Sequence, residues 1–99
     1  MAKFDVHLLR DGSTLVVDCQ ADLLCDLKTR LVVPLIPIRE APKPAARLNP
    51  VFQIDGEAYA MATQAAATIP VAELQSRVAT LVEHDITIGN ALDMLISGF

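Results

Sequence analysis

Short apolar segments separated by tight-turn residues fill the first two-thirds of this chain of 99 residues, and this pattern limits the fold more than any other feature. The clearest case is Asp55-Gly56, which lies between the apolar residues 51–54 and 57–61. Asp-Gly in such a setting is the strongest short-range signal for a two-residue β-hairpin, because both turn residues must adopt positive φ. This part of the chain is therefore predicted to be β-structure.

The N-terminal residues predict a second hairpin. Side chains alternate over residues 4–9 and again over 15–20, which is the pattern of strands with one buried face. The Asp-Gly-Ser sequence at 11–13 is typical of a turn, since Gly accepts positive φ and Asp can hydrogen-bond its own turn. We expect two antiparallel strands, with His7 exposed on the sheet and Asp18 at a solvated strand end.

A third apolar segment covers residues 31–38 and contains two prolines. Pro34 and Pro37 each lack the N–H that would bond to a neighbouring strand, so we expect this strand to be bent, bulged or at an edge of the sheet. The proline-rich residues 41–46 that follow are predicted to form a stiff, exposed loop.

The last third of the chain divides into an ambiguous segment and a helix. Residues 65–82 have apolar residues at a helical spacing, but a strand with a turn fits the same stretch. From about residue 83 the pattern is helical, and its apolar face is formed by Ile88, Ala91, Leu92, Leu95, Ile96 and Phe99. Gly89 lies within this helix and costs it about 1 kcal/mol relative to Ala, so we expect packing to offset that loss.

Charge and cysteine content limit the partners and sites that the chain can have. Eight Lys and Arg against 12 Asp and Glu give a net charge of −4. Direct binding to nucleic acid is not expected, because that usually needs clustered basic residues and here they are scattered. The sequence shows neither a signal peptide nor a run of about 18 apolar residues, so we expect a cytoplasmic protein with no membrane span. Cys19 and Cys25 are then expected to be reduced thiols, with a disulfide or a metal site as weaker alternatives.

No catalytic constellation stands out, and no cofactor or metal is predicted. The sequence contains no glycine-rich phosphate loop and no Ser, His and Asp signature. His84 is flanked by two acidic residues, and we interpret it as a surface residue at a helix start rather than as a base. Asp18 and Asp22 are interpreted as solvated carboxylates rather than as an acid pair. The chain is therefore predicted not to be an enzyme.

Two apolar groups are candidates for contact with a partner protein. Leu23 and Leu24 follow the second predicted strand, where we expect one side chain to fill the core and the other to point outward. In the C-terminal helix, Met94, Leu95 and Ile96 are consecutive, so they cannot all face one core. One side of the helix is left for a second subunit or for a target.

Five blocks of sequence give the chain a resemblance to a known family. In order, they are Asp18 to Leu24, Arg30 to Leu35, Asn49 to Glu57 with Tyr59 and Met61, Ile69 to Val71, and Asn90 to Phe99. Together they span nearly the whole chain, and they resemble the CcdB toxins. The resemblance implies a single domain over residues 1–99 and a mainly β fold, an SH3-like bent antiparallel barrel with a C-terminal helix.

The resemblance also implies a function. CcdB toxins are the toxin halves of type II toxin–antitoxin modules, and they are homodimers whose C-terminal helices lie at the interface. They bind the A subunit of DNA gyrase and trap the cleaved DNA complex. A CcdA-like antitoxin neutralises them by wrapping a disordered segment over the dimer. On this basis we expect a toxin that acts by binding and not by catalysis.

The family's contact residues can be carried over one position at a time. Gyrase binding falls on the paired aliphatic residues after the second strand and on the end of the helix, at Leu23, Leu24, Asp93, Ile96, Ser97, Gly98 and Phe99. The dimer-interface position falls on Leu95.

Two alternative functions stay open at this point. Ser97 stands where the family has a tryptophan that stacks on an arginine of gyrase, so one alternative is a homologue that dimerises and binds antitoxin without poisoning gyrase. A weaker alternative is an mRNA endonuclease of the MazF and Kid type. Such an enzyme needs a basic groove, and the dispersed basic residues of this chain do not favour one.

Overall fold

The computed structural model describes residues 2–98, and in this part of the chain one antiparallel sheet and a C-terminal helix make up the fold. The elements are β1 (Asp5–Leu9), β2 (Leu15–Asp18), β3 (Thr29–Pro37), β4 (Val51–Ile54), β5 (Glu57–Met61), β6 (Ala67–Pro70), β7 (Leu74–Thr80) and helix α1 (Asp85–Ser97). The strand order is β4-β5-β3-β2-β1-β7, and β6 pairs with β3 beside β5. The sheet curls into a half-barrel, which confirms the mainly β, SH3-like bent antiparallel fold with a C-terminal helix.

Both predicted hairpins are confirmed. In the β4–β5 hairpin Ile54 pairs with Glu57, and the two turn residues Asp55 and Gly56 have φ of 50° and 81°. These positive values allow the tight turn whose twist matches that of the strands. The β1–β2 hairpin turns at Gly12, which has φ of 78°.

Strand β3 lies in the middle of the sheet, so an edge position is wrong for it. One side of β3 pairs with β2, and the other side pairs first with β6 and then with β5. Pro34 lies at the change of partner, and its carbonyl oxygen accepts from the Ala62 N–H at 2.9 Å. Since N and O of one strand residue point the same way, the missing N–H of Pro34 faces this gap between β5 and β6. At this point the chain between β5 and β6 leaves the sheet and forms the turn Thr63–Ala65. A central strand thus tolerates the proline, because this gap lies where its N–H would point.

The ambiguous segment is a pair of strands rather than a helix. β6 pairs with the first half of β3, and β7 pairs with β1 at one edge of the sheet. The helical spacing of its apolar residues was therefore misleading, because pairing with strands far away in the sequence outweighs local spacing. Helix α1 begins at Asp85, after a short 3₁₀ turn over Val82–His84.

The core is enclosed between the curled sheet and α1. Ile88 and Ala91 of α1 are fully buried against sheet residues, among them Val6, Val17, Val33 and Met61. The opposite side of α1 contains Gly89, around which a Cβ atom would meet open space. No close contact within residues 2–98 therefore requires a glycine at this position, and α1 packs on the core through Ile88 and Ala91.

His7 and Asp18 are buried, so both predictions of exposure are wrong. The pairing of β1 with β7 shifts register on both sides of His7, and the ring Nδ1 lies 3.0 Å from the Gln75 carbonyl oxygen. Asp18 is fully enclosed and pairs with Arg30, which is fully enclosed as well. Nε of Arg30 donates to Oδ2 of Asp18 at 2.8 Å, and Nη2 lies 2.6 Å from the same oxygen. Both polar residues are buried because other parts of the sequence provide their hydrogen-bond or ion-pair partners.

We expect Asp18→Asn to lower the free energy of unfolding by about 3–5 kcal/mol, because it leaves a buried guanidinium without a counter-charge. Urea denaturation checks this. Arg39→Ala is the control, since Arg39 is 67% exposed where it pairs with the partly exposed Glu57 and its loss should cost less than about 1 kcal/mol. The double variant Asp18→Leu/Arg30→Met should recover much of the loss. Equal effects of the two single variants would contradict the prediction.

Candidate functional site

The turn that contains Leu23 and Leu24 projects from the sheet between β2 and β3. Residues 22–24 form a single 3₁₀ turn. Leu23 is 94% exposed and Leu24 is 47% exposed, so the prediction that one of them fills the core is wrong. The connection between β2 and β3 leaves the sheet at this point, and all of its residues from 21 to 29 are exposed. Neither leucine side chain therefore reaches the core.

Hydrogen bonds fix this turn on the protein surface. The backbone N–H of Lys3 donates to Oδ1 of Asp22 at 2.7 Å, which ties the start of the turn to the N-terminal segment. Within the turn, the N–H of Leu24 donates to the Ala21 carbonyl at 2.9 Å and that of Cys25 donates to the Asp22 carbonyl at 3.1 Å. The exposed leucines are therefore presented by a short, internally bonded segment.

The end of α1 is the second exposed apolar group. Ile96 is 80% exposed and Leu95 is 42% exposed, while Asp93 and Ser97 are exposed polar neighbours. Gly98 ends the helix with φ of 78°, and its N–H donates to the Met94 carbonyl at 3.0 Å. A C-terminal glycine in this conformation closes the last turn without strain. Phe99, which was assigned to the same site, lies outside the described residues.

The two apolar groups lie on separate elements. Helix α1 covers the core beside the turn Thr63–Ala65, and the leucine turn leads into β3. The site residues 23, 24, 93, 96, 97 and 98 are thus all on the surface, as a contact site requires. Each apolar group lies close in sequence to a carboxylate, at Asp22 and at Asp93, so a partner would meet apolar side chains with a carboxylate beside each group.

Sequence reasoning missed one exposed apolar residue on α1. Ile86 is largely exposed, and it lies on the solvent side with Asn90, Asp93 and Ser97. The sequence did contain a signal for this exposure. Ile86 does not belong to the helical series of apolar positions that begins at Ile88, and an apolar residue off the buried face of a helix must point to solvent. The outer side of α1 is therefore apolar near both of its ends.

The candidate acid–base groups do not form a catalytic arrangement. Asp18 is engaged by Arg30 and Asp22 by Lys3, so the two carboxylates do not act as a pair. His84 is half-buried against the ring of Phe52, with ring centroids 4.9 Å apart, and its Nε2 lies 3.8 Å from a Glu83 carboxylate oxygen.

Residues 2–98 contain neither a metal-ligand cluster nor a membrane-spanning helix. Within that range no group of three or more His, Cys, Asp and Glu side chains is placed to hold a metal ion. Over the same range, every helix is too short or too polar to cross a membrane.

The two cysteines are free thiols, as predicted, and they differ in accessibility. Cys25 is exposed beside the leucine turn, and Cys19 is buried at the end of β2. Burial, together with a smaller effect of the neighbouring Asp18 carboxylate, raises the pKa of the Cys19 thiol to about 12. Because the thiolate is the reactive form, Cys19 is protected both by its enclosure and by its protonation.

We therefore expect a disulfide reagent to modify one thiol per folded chain at pH values near 9, where an ordinary thiol is largely ionised. Cys25 should react at once, and Cys19 should react only after denaturant is added. Thiol titration followed by peptide mass analysis checks this, with Cys25→Ser as the control that removes the fast reaction. Rapid labelling of Cys19 in the folded Cys25→Ser variant would contradict its burial.

One comparison with known proteins bears on this chain. The family model described as CcdB protein matches residues 3–98. The match takes in β1 to β7, the leucine turn and the whole of α1, so it includes both exposed apolar groups. It agrees with the curled antiparallel sheet and the C-terminal helix described above. The chain belongs to the CcdB family.

Proposed function

We propose that this protein is the toxin of a type II toxin–antitoxin module and that it binds the A subunit of DNA gyrase and traps the gyrase–DNA cleavage complex. It acts by protein–protein contact, without catalysis or cofactor. Membership of the CcdB family over residues 3–98 supports the class of function. The observation that carries the finer proposal is the display of Leu23 and Ile96, which are 94% and 80% exposed.

Exposed aliphatic side chains of this kind are suited to be interface anchors. Burying one Leu or Ile in a partner's pocket contributes about 1.5–3 kcal/mol, and only a few such residues dominate a typical interface. We assign the gyrase contact to Leu23, Leu24 and to the helix end at Asp93, Ile96, Ser97, Gly98 and Phe99. The acidic neighbours Asp22 and Asp93 favour a gyrase surface that presents basic groups around an apolar pocket.

A second copy of the chain is the partner that we propose for Leu95. This side chain is 42% exposed at the last turn of α1, on the side that continues from the buried Ile88 and Ala91. Burying that side against a second α1 would extend the core across a two-fold axis.

The remaining partner in the proposal is a cognate CcdA-like antitoxin. A disordered antitoxin segment that folds over the exposed leucines and the end of α1 would cover the gyrase contact directly. Direct action on nucleic acid, as in an mRNA endonuclease, is disfavoured by the net charge of −4. The proposed setting is the cytoplasm, where both gyrase and the antitoxin are found.

We expect Leu23→Ala and Ile96→Ala each to weaken binding to a gyrase A fragment by about 10-fold or more, since each removes most of an aliphatic contact. Their unfolding free energies should change little, because both side chains are exposed. Calorimetric titration and counting of trapped DNA cleavage complexes check this. Val51→Ala is the matched control, because Val51 is an exposed aliphatic residue on the edge strand β4. Equal affinities for all three variants would exclude the assigned surface.

Ser97→Trp tests the alternative of a homologue that no longer poisons gyrase. A tryptophan is the type of anchor that dominates interfaces, so we expect the variant to bind gyrase about 10- to 100-fold more tightly than the natural chain. Natural protein that traps cleavage complexes supports the proposal. Natural protein that binds an antitoxin peptide but traps none, while the variant does, supports the alternative. Degradation of RNA by either purified protein would favour an endonuclease instead.

A further inference from the structure

Gln20 lies directly before the leucine turn, and its side chain connects that turn to the sheet. The residue is 9% exposed. Its Nε2 donates to the Leu24 carbonyl oxygen at 3.0 Å, and its Oε1 accepts from the Leu31 N–H at 3.1 Å. A carbonyl can only accept and a backbone N–H can only donate, so the two partners fix which end of the amide points where. One side chain thus bonds both to the turn and to β3.

The position of Gln20 is itself determined by the buried ion pair. The backbone N–H of Gln20 donates to Oδ1 of Asp18 at 3.0 Å, while Oδ2 of Asp18 accepts from Nε of Arg30 at 2.8 Å. Both charged side chains are fully enclosed. A continuous series of bonds therefore runs from the buried pair through Gln20 to the end of the leucine turn.

The leucine turn is held on both sides of its most exposed residue. Before Leu23, the Asp22 carboxylate is fixed by the Lys3 N–H at 2.7 Å. After it, the Leu24 carbonyl oxygen accepts both from Gln20 and from the Leu27 N–H, which is 3.1 Å away. Leu23 itself, 94% exposed, has little packing of its own to hold it. Its placement thus depends on the polar bonds of its neighbours.

We propose that Gln20 is a positioning residue for the gyrase contact, and that it acts through Leu23 and Leu24 without touching the partner. The bond to Leu31 joins the residues just after β2 to β3, as a purely structural role would require. The bond to Leu24 reaches out of the sheet and orders only the turn. An apolar anchor that is ordered before binding loses less conformational freedom on binding, which raises affinity without adding a contact. The identity of the partner rests on the function proposed above.

Gln20→Glu separates the two bonds with almost no change in shape. A carboxylate keeps an acceptor for the Leu31 N–H but cannot donate to the Leu24 carbonyl oxygen. We expect amide hydrogen exchange at Leu27 to become about 10-fold faster or more relative to core amides such as Val17 and Val33, whose shared change measures any global cost of the buried carboxylate. Gln53→Glu is the matched control, since it makes the same change at an exposed site on β4. Unchanged exchange at Leu27 would overturn the proposal.

A double-variant cycle on gyrase binding tests the positioning role itself. In the natural background we expect Gln20→Glu to weaken binding to a gyrase A fragment about 5- to 20-fold. In a Leu23→Ala/Leu24→Ala background it should have no further effect, because the side chains that it positions are gone. An equal loss in both backgrounds would mean that Gln20 acts elsewhere, and the proposal would be wrong.

The same measurements separate this proposal from the function on which it rests. If Leu23→Ala/Leu24→Ala binds gyrase as well as the natural chain, the assigned gyrase surface is wrong. The exchange rates then test only whether Gln20 orders the leucine turn, and faster exchange at Leu27 would support that. If the leucine variant binds weakly and Gln20→Glu binds normally, the gyrase surface stands and the positioning role of Gln20 is overturned.

Discussion

The ion pair between Asp18 and Arg30 is the interaction on which the rest of this structure depends. It joins the end of β2 to the start of β3, where Asp18 pairs with Val32 and Arg30 pairs with Ile69 of β6. A shift of the strand register by one residue would leave each of these two buried charges without its partner. Few other registers of these strands are therefore compatible with the pair. The pair thus specifies where three strands meet, beyond whatever it contributes to stability.

The position of this pair also explains why a leucine turn projects from the surface. With Asp18 and Arg30 fixed in adjacent strands, the residues between them must leave the sheet and return within a short distance. All residues from 21 to 29 are exposed as a result. Apolar side chains in such a connection have no core to enter, so Leu23 is displayed. An interior constraint, and not a local preference of the turn, produces the surface that we assign to gyrase.

The hairpins and the helix could be predicted because neighbouring residues in the sequence specify them. The strands of residues 65–82 and the burial of His7 and Asp18 could not, because they depend on partners elsewhere in the sequence. Asp55-Gly56 specifies its own turn, and the period of residues 88–96 specifies a helix face. By contrast, residues 65–82 become strands only because β3 and β1 offer edges to pair with. His7 and Asp18 are buried because Gln75 and Arg30 reach them. The resemblance named the site residues, but it did not reveal that both leucines are exposed or that Gln20 holds their turn.

The two parts of the proposed site are ordered in different ways. The leucine turn is fixed by side-chain bonds from Gln20 and Asp22. The end of α1 is ordered by the helix itself and by its glycine cap. Ser97 provides no aromatic area there, so less apolar surface is available at the helix end than a tryptophan would supply. In the proposed complex we therefore expect the leucine turn to contribute more of the affinity, because its side chains are already in place before a partner binds.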